Sequence, residues 1–238
     1  MKFIRRLIRL LIILFIIFIA GITWYGYKFY KETIEETPIA TKVNEIREKN
    51  DYVKISDLPD YYIKAVVSVE DRRFYNHGAV DYIGILRAIF FNIKNKTLQE
   101  GGSTITQQVA KNLYFEEEKS VIKRKVAEAF IAIDLEKQYS KNDILELYAN
   151  IIYFGDGYYG INAACNGYLK KSPSQMNLAE ATMMAGVPNA PYYYAPTANK
   201  ELCKKRQQKV ISTMVKNKII TQETADNIDS SFIDKINW

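Results

Sequence analysis

Glu70 and Asp71 close a stretch whose apolar residues recur at helical spacing, so the pair should stand at a helix C-terminus. Backbone carbonyls at that end disfavour negative charge and push a carboxylate pKa upward, which suits a general base. Two solvated surface acids would read the same way. Thr104, Gln108 and Lys111 fall at i, i+4 and i+7, a polar stripe that ends in a cation and could hold a phosphate or sugar hydroxyls. A solvated helix face has this spacing too. Gly101-Gly102, just before the stripe, would let backbone N–H groups approach an anion closely. Glu128 is the only charged residue between Lys125 and Asp134, and Arg124 precedes it by four positions on the same helix face. That pair is either a helical ion pair or a buried acid–cation site.

The remaining reactive residue types narrow the chemistry. His77 is the sole histidine, which removes any multi-histidine metal site and leaves acid–base work to carboxylates. Cys165 and Cys203 match no metal spacing and make no disulfide framework; Cys165 reads as a small packed side chain.

The elements that would carry these residues are helical. Pro59 can open a helix with Tyr62, Ala65, Val66 and Val69 on one face, ending at Glu70-Asp71 and before Gly78. Thr104 and Gln107 fit a capping box for a helix through Leu113. A long helix is expected over about 119–139, and Ser140 with Asp143 can cap the next. The glycine-rich run 154–160 reads as a turn, followed by helices over about 161–170, 178–186 and 199–216. Alternating strand patterns are scarce, so the fold class is mainly α.

At 238 residues, 48% of them hydrophobic, the chain can bury one sizeable core. Its net charge of +6 suggests nucleic acid until it is located. The first 31 residues hold six basic and no acidic side chains; removing these six from 33 leaves 27 basic against 27 acidic residues. The excess belongs to one end, and nucleic acid is not an expected partner. Residues 10–27 are free of charge and long enough for about one bilayer crossing. Four basic residues precede them, which places the N-terminus in the cytoplasm and the rest of the chain outside. Ala20-Gly21-Ile22 is a poor cleavage site, which favours an uncleaved anchor over a signal peptide. The expected layout is a basic tail over 1–9, an anchor over 10–27, a stalk over 28–50 and a catalytic domain over 51–238.

Two carboxylates in apolar or strained settings, several cations nearby in sequence and a tie to the outer membrane face suit a glycosyl donor with a lipid diphosphate leaving group. Here the sequence resembles glycosyltransferase family 51, the glycosyltransferase domain of class A penicillin-binding proteins and of monofunctional peptidoglycan glycosyltransferases. The resemblance begins with Glu70-Asp71-Arg72-Arg73-Phe74-Tyr75-Asn76-His77, continuing to Asp81 and Arg87-Ala88. It runs on through Gly101-Gly102-Ser103-Thr104-Ile105-Thr106-Gln107-Gln108 with Lys111-Asn112-Leu113, and Arg124-Lys125-Val126-Ala127-Glu128. Tyr148-Ala149-Asn150 through Phe154-Gly155, Tyr159-Gly160-Ile161, and Leu178-Ala179-Glu180-Ala181 through Ala185-Gly186-Val187-Pro188 complete it. Ala79, preceded by Gly78, stands where the family usually has glycine, and Leu169 replaces an expected phenylalanine.

The resemblance implies a lysozyme-like, mainly helical domain with a small membrane-facing lobe, for which Ile83 to Leu86 with Ile89, Phe90 and Phe91 is apolar enough; an ordinary core helix is the other reading of that segment. It implies polymerisation of lipid II into β-1,4 glycan with inversion, in cell-wall synthesis at the bacterial membrane. Glu70 would be the base and Glu128 the second catalytic carboxylate. Lys111, Arg124 and Lys125 would hold the diphosphate, and Thr104, Gln108, Asn112, Asp71, Phe74 and His77 would contact substrate. A divalent cation such as Mg2+ beside the diphosphate and other cell-wall synthesis proteins as partners are compatible with it. The chain resembles the monofunctional type, without transpeptidase activity. A lysozyme-like hydrolase and a non-catalytic scaffold are the rival readings.

Overall fold

The computed structural model describes residues 2–96, 101–116 and 118–237. Helices follow in the order α1 (Lys2–Glu36), α2 (Ile39–Arg47), α3 (Asp60–Glu70), α4 (Tyr82–Asn95), α5 (Ile105–Tyr114) and α6 (Val121–Gln138). They continue with α7 (Lys141–Ile151), α8 (Ile161–Ala164), α9 (Leu178–Gly186), α10 (Pro191–Tyr194), α11 (Lys200–Lys216) and α12 (Gln222–Asp226). No strand occurs among the described residues; extended pairing is limited to one isolated bridge, Tyr153 with Tyr159. The fold is mainly α, as the periodicities require.

The helix that carries the opening apolar run continues beyond that run. α1 has 35 residues, on the order of 50 Å at 1.5 Å per residue. Its side chains are exposed from Phe3 to Ala20, and among the described residues it is the one helix long and apolar enough to cross a membrane. Its last third packs on α6. Tyr27 meets Phe130 edge-on at 5.1 Å and Tyr30 stacks on the same ring at 5.4 Å. The Tyr30 hydroxyl donates to Asp134. A Cβ on Gly26 would lie 2.3 Å from that of Val126, so the two backbones approach as closely as glycine allows.

Residues 28–50 therefore differ from a free stalk. After α1 ends, α2 buries Ile39, Val43 and Ile46 at i, i+4 and i+7, and Arg47 pairs with Asp143 of α7 at 2.8 Å. Their apolar positions are interleaved with charges, which hid the pattern; the surface of α6 and α7 selects the buried face.

Local signals set most other boundaries. Pro59 precedes α3, which buries Tyr62, Ala65, Val66 and Ser68 while Val69 is left half-buried. The capping boxes Thr104/Gln107 and Ser140/Asp143 open α5 and α7 as expected, and Asn177/Glu180 opens α9 in the same way. α9 is buried from Glu180 to Gly186 and has α3 and α11 packed on it. α5 lies across α6 and α7. Ile131 and Leu135, fully buried on α6, would each cost about 2–5 kcal/mol if truncated to alanine. The helix expected over 161–170 is present in two parts, α8 and a π turn over Cys165–Leu169.

α4 is not a core helix. Only Gly84 and Ala88 are buried, while Tyr82, Ile83, Leu86, Ile89, Phe90 and Ile93 are exposed along one face. A contiguous apolar stripe left uncovered by the fold marks a surface that meets something other than water.

Candidate active site

α3, α5 and α11 form the walls of an open cleft of about 830 Å³. Glu70, the last residue of α3, reaches it with a side chain only 9% exposed. One carboxylate oxygen accepts from the Gln108 amide at 3.0 Å, and the other faces the Arg206 guanidinium at 3.3 Å. Burial pushes the Glu70 carboxyl above the usual carboxylate range; Arg206 and Gln108 pull it back, and Asp71 repels it further, leaving the net direction upward. The direction matches the expectation from sequence, but the main cause is desolvation rather than the field of the helix end.

α5 supplies the facing groups because its capping box aims one face at the cleft. Gln108, Lys111 and Asn112 line the cleft, and the Asn112 amide is held by the Gln108 carbonyl at 2.8 Å. Thr104, expected on the same stripe, turns inward. Its hydroxyl donates to the Ala79 carbonyl at 2.7 Å and accepts from the Gln107 N–H at 3.1 Å.

On α6, Lys125 lines the cleft and bridges Ser103 at 3.1 Å and Glu128 at 2.5 Å. Glu128 is fully buried; its second oxygen lies 3.1 Å from Arg124 Nε, an ion pair without a hydrogen bond between these two atoms. Arg124 also donates to the Glu118 carbonyl at 3.0 Å. Glu128 thus sits behind the wall, with a cation on each oxygen. Such a carboxylate does not fit a divalent ion, which needs free oxygens.

The other residues of the first motif tie the loop together. Asp71 accepts from the His77 ring at 2.7 Å and from the Ile105 N–H, at the start of α5, at 3.1 Å. Phe74 is fully buried beneath the ammonium of Lys141, 4.5 Å from the ring centre. Asp71, His77 and Asp81 lie close enough together to suggest a metal site. Their ligand atoms are already engaged, however, since Asp81 holds Arg73 and the Gly84 N–H.

Sequence reasoning missed the α11 wall. Arg206, Lys209, Thr213 and Lys216 fall at i, i+3, i+7 and i+10 and all line the cleft. Arg206 donates to the Gly186 carbonyl at 3.1 Å and lies over the Tyr194 ring at 5.7 Å. The available signal was its place beside the buried positions Cys203, Gln207 and Val210. Tyr153, Tyr159, Asn189 and Tyr192 also line the cleft. Among the described residues, seven cations, Arg72, Arg87, Lys111, Lys125, Arg206, Lys209 and Lys216, face it against two carboxylates, Glu70 and Glu116. The arrangement can remove a proton at one point while stabilising developing negative charge around it.

Penicillin-binding protein 1A of Neisseria lactamica is 44% identical over 179 residues, covering 75% of this chain and 22% of that one. Penicillin-binding protein 2D of Bacillus subtilis (strain 168) is 42% identical over 181 residues, 76% of this chain and 26% of that one. The chain thus spans about a quarter of the length of these relatives. A crystal structure of penicillin-binding protein 1A from Haemophilus influenzae superposes with a TM-score of 0.44 and 23% identity, over 74% of this chain and 16% of that one. A family model described as Transglycosylase matches residues 36–215, which include the cleft residues from Ser68 to Thr213. The chain belongs to the transglycosylase family, glycosyltransferase family 51.

Proposed function

We propose that the chain is a peptidoglycan glycosyltransferase that polymerises lipid II on the outer face of a bacterial membrane. The observation that carries the reading is Glu70, a desolvated carboxylate with a raised pKa set in a cleft whose charged lining is mostly cationic. Glu70 takes the proton from the 4-hydroxyl of the acceptor sugar. That oxygen attacks the anomeric carbon of the growing strand from the face opposite the leaving group, so the α-linked donor gives a β-linked product. Undecaprenyl diphosphate departs as its charge is met by Lys111 and Lys125. No covalent intermediate is required.

Glu128 acts in this reading as a positioning residue. Held at zero exposure between Arg124 and Lys125, it fixes the α6 cations and does not compete as a base. Asp71, His77 and Thr104 position the loop and the start of α5. Gln108 orients the Glu70 carboxylate, and Asn112 offers a polar contact beside it. α1 anchors the enzyme with its N-terminus in the cytoplasm, and the apolar face of α4 rests in the outer leaflet from which a lipid-linked donor would enter.

The test is incubation of the purified full chain with lipid II, followed by product sizing. Glycan polymer should form, and Glu70→Gln should reduce the rate by on the order of 10²–10⁴-fold, as for loss of a general base, while lipid II still binds. Cleavage of preformed glycan without synthesis would assign a hydrolase instead. Full synthesis by the Glu70→Gln protein would remove Glu70 from the role of base.

A further inference from the structure

Beyond its apolar run α1 lies side by side with α6, and the contacts fix the register of the two helices. Gly26 meets Val126, where a Cβ would stand 2.3 Å from that of the valine. One turn further on, Tyr30 stacks on Phe130 at 5.4 Å and donates to Asp134. Positions on the two helices advance together, so α1 and α6 run parallel. One turn in the other direction, Ile122 comes level with Ile22, roughly 6 Å from Gly26 toward the N-terminal end of α1. From Phe3 to Tyr25 every residue is exposed except Ile22, which is half-buried, in keeping with that level. Ile22 belongs to the charge-free run, and the exposed rings of Trp24 and Tyr25 follow it. Aromatic side chains of this kind collect where a span meets the headgroups. The start of α6 is therefore level with the end of the membrane span.

The neighbouring contacts agree. Phe115 packs on Phe29 at 5.2 Å, on the far side of Gly26 from the span. α6 then opens with Val121 and Ile122, which are 58% and 60% exposed. Lys123 does not leave its charge at their level. Its ammonium lies 3.7 Å from the centre of the Phe29 ring and 2.9 Å from Glu118, drawn away from the span. Lysine stems behave in this way at the edge of a bilayer, crossing apolar ground while the charge reaches back toward water. Glu118, the nearest carboxylate before the tip in sequence, is occupied by Lys123 and by the Ser120 N–H at 2.8 Å. Lys119 is exposed beside it.

Two exposed aliphatic side chains are ordinary on a surface that faces water. These two stand beside a membrane-length helix, at the depth where its apolar side chains end, with the adjacent acid neutralised and cations at the rim. Acyl chains beneath and phosphates around the edge match that arrangement.

We propose that Val121 and Ile122 insert into the outer leaflet beside α1, with Lys119 at the lipid phosphates, as a membrane contact separate from α4. The proposal rests on the reading of α1 as a membrane anchor. A single span leaves the domain free to tilt with it, whereas contacts at both α4 and α6 fix the angle. Lys125, about one turn beyond Ile122 on α6, is thereby held at the level of lipid headgroups.

The test places a nitroxide label at Ile122→Cys in the full chain, reconstituted in phosphatidylglycerol vesicles. Cys165 and Cys203 are buried and do not compete for the label. Labels at Phe15→Cys, within the span, and at Glu223→Cys, exposed on α12, give the lipid and water references. The Ile122 label should lose most of the collision broadening by a water-soluble nickel chelate and keep that by oxygen, as at Phe15. An Ile122 label as open to nickel as that at Glu223, with Phe15 shielded, overturns the leaflet contact and leaves the anchor standing. Shielding from both reagents puts protein rather than lipid over the tip and overturns it as well. If Phe15 itself is open to nickel, the anchor reading fails and the leaflet contact falls with it.

Discussion

The guanidinium of Arg206 lies 3.3 Å from the carboxylate of Glu70, a residue 136 positions earlier in the chain. Burial drives the Glu70 carboxyl upward and Arg206 opposes it, so the pair sets the pH at which this carboxyl ionises. Arg206→Ala removes the opposing charge and should raise the Glu70 pKa further. The acidic limb of the rate–pH profile then moves to higher pH, with Arg206→Lys in between. An unmoved acidic limb would separate Arg206 from the ionisation of Glu70.

The same residue affects stability. A carboxylate whose folded pKa is raised binds more protons folded than unfolded across the window between its two pKa values. Its destabilising effect is absent below the unfolded pKa, grows as pH rises through that window and is complete above the folded pKa. Glu70→Gln should therefore raise the melting temperature at neutral pH and change it little at acid pH. Equal stabilisation at both would trace the effect to something other than ionisation.

Lys111 lines the cleft from α5, and Lys111→Ala should slow polymerisation by on the order of 10²-fold or more, as for a charge-stabilising group. Lys111→Arg should rescue incompletely, because a forked guanidinium does not replace a compact ammonium. The readout is single-turnover rate with lipid II, and near-normal turnover in the alanine variant would move the diphosphate site.

Breaking the pair behind the wall should act through the fold as well as through rate. Arg124→Ala leaves Glu128 fully buried with Lys125 alone, at a cost of roughly 3 kcal/mol by analogy with other broken buried pairs. The double variant Arg124→Ala with Glu128→Gln should recover part of that loss. Chemical denaturation measures both, and equal stability of single and double variants would show that the charges are not coupled.

The anchor has a boundary set by packing. Deleting residues 1–24 should leave a folded domain that binds vesicles weakly and polymerises slowly, because Gly26, Tyr27 and Tyr30 still reach α6. Deleting through Glu36 strips that contact and should lower the melting temperature. Circular dichroism and vesicle sedimentation compare the two, and equal melting temperatures would mean that α1 adds nothing to the domain.

Much of the machinery was legible because it is local. The helix after Pro59, the caps at Thr104 and Ser140, the apolar run of α1 and the glycine-rich turn all follow from neighbours within a few residues. Motif order then pointed to the family, and Glu70, Gln108, Lys111, Asn112 and Lys125 do meet at one cleft.

What the sequence could not determine depends on partners distant in the chain. Helical spacing places Thr104 on the face of Gln108, but the inward turn of its hydroxyl depends on Ala79. The pair Arg124 and Glu128 was visible at i, i+4, whereas its complete burial depends on how α5 and α6 pack. Residues 28–50 showed no clear stripe, because interleaved charges balance the apolar positions until α6 and α7 choose a side. Arg206 and the three tyrosines come from segments that carry no acid–base signal of their own. Periodicity reports which residues share a face; only tertiary packing decides what that face meets, how dry it becomes and hence which carboxylate is poised as a base.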